Sequence, residues 1–286
     1  MLIDYIKLTS PGITLLVMLT GFTGMWIASS GTVLSSSLPH DLFLFSILGI
    51  GLASAGASVL NNYYDRDIDR LMQRTCKRPL PDGRINAWNA LMLGVLLSSA
   101  AFVLLLIKVN VLSAFLAASA IFIYSFIYTA ILKRRTPLAT EIGGISGALP
   151  PLIGWVAVKG TISLEALLLF AMMFLWQPPH FWALALKCRE DYKRVGIPTM
   201  SVTASPEEVN LRSLIYVSAL VMVSLFPYFI GMFGRLYLIV SVIAGIIYLS
   251  LYLMVIVLKR DMNKYLFHYS IIYISLIFLF MFVDLK

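Results

Sequence analysis

Nine stretches of the chain, roughly 11–30, 42–62, 88–108, 111–132, 138–158, 163–186, 210–233, 235–258 and 266–284, run on with almost no charge. About 20 mostly apolar residues are what a helix needs to cross the hydrocarbon core of a bilayer. Backbone polar groups in lipid must be satisfied inside the segment or in a closed barrel. A barrel alternates apolar and polar residues along strands of about ten residues, and none of these stretches alternates. The expected fold class is therefore all-α: a polytopic membrane protein, a bundle of about nine transmembrane helices surrounded by membrane lipid. Composition agrees, with 60% of residues hydrophobic and 13% charged. The first stretch is too long for a secretory signal, lacks a small-residue cleavage site and leads straight into further spans, so it reads as the first helix. Without a linker or low-complexity stretch, 1–286 is expected to be a single domain.

The formal charge of +8 is informative through its placement. Inner loops of membrane proteins collect Lys and Arg. With nine spans, Lys7, the cations from Arg66 to Arg84, Lys133 to Arg135, Lys187 to Arg212, and Lys259, Arg260 and Lys264 share one side, eighteen in all. Only Lys108, Lys159, Arg235 and Lys286 fall on the other. This split predicts a bacterial-type inner membrane protein with its N-terminus cytoplasmic and its C-terminus outside. Charges confined to short loops argue against nucleic acid as a partner. Cys76 and Cys188 both fall on the cytoplasmic side and read as reduced and structural.

Two cytoplasmic loops, about 63–87 and 187–209, are longer than the rest and carry eight of the fourteen acidic residues. Charge gathered at the mouths of a helical bundle is where a polar site is expected. In the first, the run from Asn61 to Arg70 places Asn61, Asp65 and Asp69 at i, i+4 and i+8, one face of a continuing helix. Two carboxylates on one face suit Mg²⁺, which takes one or two protein carboxylates and completes its shell with phosphate oxygens and water. The same acids could instead pair with Arg66, Arg70 and Arg74 on a solvated helix end. The continuation from Arg74 through Arg78 to Pro81 and Gly83 favours a site, because it adds guanidinium groups able to grip phosphate beside a tight turn. Asp67 lies on another face and reads as a salt-bridge partner.

The second block runs from Trp176 through Pro178, Pro179, His180 and Phe181 to Lys187, Glu190, Asp191 and Tyr192, then Gly196 to Pro198. On a continuing helix His180, Lys187 and Asp191 would fall at i, i+7 and i+11, near one face, after a kink at the prolines. An ionisable group within a span is a functional candidate by default. Weaker candidates are His40 and His268, read as interfacial, and Glu141, read as an ion-pair partner of Lys133 to Arg135. Tyr124 and Tyr128 share a face and either line the cavity or pack.

The first block resembles the aspartate-rich motif of UbiA-type intramembrane prenyltransferases, NDxxDxxxD followed by RTxxRPLPxG. It matches at Asn61, Asp65, Asp69, Arg74, Thr75, Arg78, Pro79, Leu80, Pro81 and Gly83 and departs at Asn62, where many members carry an acid. The second block is similar to the haem-farnesylating branch of that family, with the family's second acidic cluster thinned to Glu190 and Asp191. The resemblance implies a farnesyl group moving from farnesyl diphosphate to a vinyl group of haem b, with Mg²⁺ as cofactor. It implies Asn61, Asp65, Asp69 and Asp191 as metal ligands, and Asn61, Arg74, Arg78 and Lys187 on the diphosphate. The catalytic group would be Asp65, Asp69, His180, Lys187 and Asp191, with His180 either ligating haem iron or orienting the capturing water. Haem A synthase or terminal oxidase assembly is the implied protein partner. Rival readings are prenylation of an aromatic quinone precursor, against which the block around His180 argues, and transport without catalysis.

Overall fold

The computed structural model describes residues 2–30, 40–259 and 262–286; Arg260, counted above among the inner cations, and the side chain of His40 lie outside the described residues. A short helix α1 (Leu2–Leu8) precedes α2 (Pro11–Ala28), α3 (His40–Asp69), α4 (Ala87–Lys108) and α5 (Val111–Phe122). A π-helical segment, Ile123–Leu132, continues α5. There follow α6 (Ala139–Lys159), α7 (Leu164–Lys187), the short α8 (Arg189–Arg194) and α9 (Met200–Thr203), α10 (Pro206–Phe229), α11 (Arg235–Leu258) and α12 (Asn263–Val283). Among the described residues nine helices are long and apolar enough to cross a membrane, α5 counting with its π segment. The only β pairing among them is an isolated bridge between Phe233 and Leu285.

Helix α3 is the longest, at thirty residues. At a rise of 1.5 Å per residue it extends about 45 Å, against a hydrocarbon core of about 30 Å. Its last turns therefore project beyond the apolar layer, and the first long loop begins after Asp69 rather than at residue 63. Helix α10 starts four residues before the apolar pattern suggests, because Ser205 caps it by accepting from Glu208 N–H at 3.1 Å and Pro206 occupies the first turn.

Helix α6 sits centrally, between α2, α5 and α7; 67% of its window is buried, against 17% for Val111–Leu132, which faces outward. Lipid offers little hydrophobic drive for helices to associate, so close backbone approach matters more. Between α2 and α6 the backbones touch: a Cβ on Gly24 would stand 2.0 Å from Pro151 O, and one on Gly154 1.9 Å from Gly21 O. The other side of the molecule closes α7, α10, α11 and α12 around buried Tyr237, Tyr248, Tyr252 and Tyr273. At the end opposite the acidic loops, Asp284 accepts from Tyr237 N–H and caps α11. Cys76 and Cys188 are free thiols.

Candidate active site

The helix through residue 69 brings Asn61, Asp65 and Asp69 onto one face, as their spacing predicts. Asp65 is 1% exposed and Asp69 3%. Asn61 donates its amide to Asp65 Oδ2 and to Thr129 Oγ1, both at 3.0 Å. Lys133 Nζ donates to the same Asp65 oxygen at 2.5 Å. The second oxygen, Asp65 Oδ1, is buried with no hydrogen-bond partner. A buried carboxylate oxygen without a donor carries a desolvation penalty that nothing in the protein offsets, so it is available to a cation or a donor brought by a ligand. Asp69 Oδ2 accepts from Arg78 Nη1 at 2.7 Å, and buried Thr75 donates to Asp69 O at 3.0 Å. No group of three His, Cys, Asp or Glu suited to holding an ion by itself occurs among the described residues. The donor set is thus two carboxylates and the carbonyl of Asn61, which fits Mg²⁺ only when phosphate oxygens complete the shell.

Asn62 points elsewhere. Its amide donates to Ser58 O and to Leu8 O, tying α1 to α3, so this departure from the motif has a packing role. Asp67 forms two bonds with Arg134, at 2.6 and 2.7 Å, the salt bridge expected of it. Arg84 spans the loop, donating to Asp82 and Lys77 O and pairing with Asp4 of α1. Gly83 supplies the left-handed turn, at φ 75°. Arg74 lies exposed at the loop mouth.

Lys133 is the residue that sequence reasoning missed. It was assigned to Glu141; instead it reaches Asp65, and no ion pair joins Glu141 to Lys133, Arg134 or Arg135 among the described residues. Glu141 Oε2 is buried without a partner. The cause is the π segment: its wider turn lets Thr129 donate to Tyr124 O, five residues back, at 2.7 Å, and swings Thr129 and Lys133 towards α3. Burial would lower the Lys133 ammonium, but the Asp65 carboxylate, with Tyr128 and Tyr192 also close, holds it above its ordinary value. Tyr124 and Tyr128 stack at 5.7 Å between ring centroids.

Helix α7 does not continue past Lys187. Cys188 leaves the helical conformation and α8 restarts at Arg189, so the face shared by His180, Lys187 and Asp191 is broken. Lys187 is exposed at the helix end, and Asp191 pairs with Arg194 at 3.5 Å while Glu190 pairs with Lys193. Both prolines lie within the assigned helix.

His180 faces α12. Its ring is stacked between Trp176, at 4.4 Å, and Phe267, at 4.7 Å, and its Nδ1 lies 2.7 Å from Ser270 Oγ. Helix α6 separates this ring from the acidic cluster through a glycine run. Tyr128 rests on Gly143, where a Cβ would stand 2.6 Å from its ring, and Gln177 fills the space over Gly147 and donates to Gly144 O at 2.8 Å. His268 is exposed, its Nδ1 against Lys264 O.

A deep carboxylate pair lies beside buried and half-buried cations at the polar end of the bundle, and the chain is a member of the UbiA prenyltransferase family, whose model matches residues 17–280. Over 282 residues it is 46% identical to the protoheme IX farnesyltransferase of Aquifex aeolicus (strain VF5), covering 99% of this chain and 95% of that protein. The fold is that of a solved digeranylgeranylglyceryl phosphate synthase, with a TM-score of 0.84 at 21% identity over 99% of this chain and 97% of the other. A UbiA homologue from Archaeoglobus fulgidus solved with GPP and Mg²⁺ matches with a TM-score of 0.65 at 16% identity, over 97% and 99% of the two chains.

Proposed function

We propose that this protein transfers the farnesyl group of farnesyl diphosphate to a vinyl group of haem b, releasing diphosphate and giving haem O. The observation that carries the reading is Asp65. It is fully buried at the charged end of a lipid-facing bundle, anchored through Oδ2 by Asn61 and Lys133 and left with Oδ1 unpartnered. The farnesylating relative and the diphosphate-bound and Mg²⁺-bound homologue support it.

In this reading Asp65 and Asp69, with the carbonyl of Asn61, would hold Mg²⁺, which would supply positive charge for the departing diphosphate. Arg74, Arg78 and Lys187 contact phosphate oxygens directly, and Lys133 stands beside them, able to turn from Asp65 to the diphosphate. Asp191, paired with Arg194, would be a further metal ligand from the second block. Cations fixed in a dry site stabilise developing anionic charge more than they would in water, so the allylic C–O bond breaks and a farnesyl cation forms. The vinyl carbon attacks it, making the new C–C bond; water adds to the resulting benzylic-type cation and loses a proton, which gives the hydroxyethylfarnesyl side chain. His180 belongs to the acceptor side.

The eighteen-to-four distribution of Lys and Arg supports an inner-membrane placement with the acidic cluster facing the cytoplasm. Haem A synthase or terminal oxidase assembly is the partner that would take the product. The test is turnover in membranes containing the protein with farnesyl diphosphate and haem b, with and without Mg²⁺. Farnesylated haem that requires Mg²⁺ upholds the reading; an inert haem beside a prenylated aromatic acid moves the acceptor to a quinone precursor.

A further inference from the structure

The surroundings of His180 fix more than its position. Ser270, buried on α12, has one hydroxyl proton, and its Oγ lies 2.6 Å from Phe267 O, an acceptor that must receive that proton. Ser270 Oγ can then only accept from His180 Nδ1, 2.7 Å away, because the opposite assignment sets two lone pairs facing each other. With the hydroxyl proton donated to Phe267 O, the neutral imidazole would carry its own proton on Nδ1 and keep the lone pair on Nε2. Trp176 Nε1 donates to Ser270 O at 2.7 Å, locking α7 against α12 at the same level, while the Trp176 and Phe267 rings prevent the imidazole from turning over. Nε2 meets no hydrogen-bond partner among the described residues, and His180 keeps 9% of its surface accessible.

We infer that Ser270 is a positioning residue that holds His180 in the Nδ1–H tautomer, so that Nε2 is offered as an axial ligand to the iron of the haem acceptor. The inference rests on the haem reading of the previous section. A histidine that binds metal commonly donates its other ring N–H to a fixed acceptor, which sets the tautomer and raises the basicity of the ligating nitrogen. Here that acceptor is a hydroxyl already polarised by a backbone carbonyl. The rings of Trp176, Phe181 and Phe267 packed against the imidazole offer no strong hydrogen bond to a bound water, which favours iron over a water-orienting role.

The chain has three histidines, so ¹⁵N-histidine labelling of the full-length protein in nanodiscs resolves each, with His180→Ala assigning the signal. The expected spectrum places the proton of His180 on Nδ1 and leaves Nε2 bare in the wild type. Ser270→Ala redistributes the proton towards Nε2, and Ser270→Thr, which keeps the hydroxyl, restores it. Titration with ferric haem b then reads the consequence: a histidine-ligated absorption and EPR signature in the wild type, abolished in His180→Ala, with affinity about 10-fold to 100-fold weaker in Ser270→Ala. A proton found on Nε2 in the wild type overturns the proposal whatever haem does. So does a haem signature that is the same in wild type, His180→Ala and Ser270→Ala. The acceptor reading is judged separately, by whether the wild type forms farnesylated haem at all; product formed without histidine ligation sinks this proposal and spares that reading.

Discussion

The acidic end of α3 and the histidine pocket between α7 and α12 solve opposite problems in one bundle. Around Asp65 and Asp69 charge is dense, and each carboxylate has a cation on one oxygen: Lys133 on the first and Arg78 on the second. Around His180 there is no formal charge in contact, only aromatic faces and one hydroxyl. The first region is built from paired charge, the second from stacked rings around one polar contact. Buried charge is stable only where it is paired, and a buried neutral ring needs only its one N–H satisfied. The two regions therefore fail differently when altered, and α6, through Gly143, Gly144 and Gly147, is what keeps them apart.

The sharpest way to break the contrast is to remove charge at the first region alone. Asp65→Asn is expected to lower turnover at least about a hundredfold and, by leaving Lys133 buried without its partner, to cost about 3–5 kcal/mol of stability. Chemical unfolding in mixed micelles measures the second effect. The double variant Asp65→Leu with Lys133→Met should recover the stability and none of the turnover; recovered turnover would mean that Asp65 is structural. Chelation by EDTA should also abolish turnover, reversibly on adding Mg²⁺, and leave haem binding untouched. A loss of haem binding on chelation would show that the two regions are not separate.

At the second region, His180→Ala should weaken haem binding more than Ser270→Ala does, by at least about 100-fold, while farnesyl diphosphate still competes normally with a labelled analogue. Unchanged haem affinity would remove His180 from the acceptor side. Between the regions and the rest of the bundle, Gly154→Ala should cost about 1–3 kcal/mol by forcing α2 away from α6, read from the same unfolding curves, with KM for both substrates nearly unmoved. The smallest effect is expected at the exposed pair of Arg134 and Asp67, 37% and 60% exposed. Arg134→Ala should cost under about 1 kcal/mol and leave turnover within a few-fold of wild type.

Much of the first region could be read directly from residue spacing. Asn61, Asp65 and Asp69 are four apart, and a helix that begins in lipid has every reason to continue for two more turns, so their common face followed from local geometry. The second region was less legible for the same reason in reverse. The spacing of His180, Lys187 and Asp191 assumes an unbroken helix, and the helix breaks at Cys188. Nothing in the local sequence announces that break. Ser270 lies ninety residues from His180, and no pattern within a single span identifies it as a partner.

By itself the sequence determined the class of fold, the number of spans, the ends at which charge collects and the carboxylates on α3. Those depend on hydropathy and on helical periodicity, which are properties of neighbouring residues. The tertiary structure alone decided that Lys133 pairs with Asp65 and not with Glu141, that α2 and α6 meet backbone to backbone at Gly21, Gly24 and Gly154, and that Ser270 meets the His180 ring. Each of these depends on which faces of distant helices meet, and in lipid that choice is made by small residues, a π turn and single hydrogen bonds rather than by any excess of apolar surface.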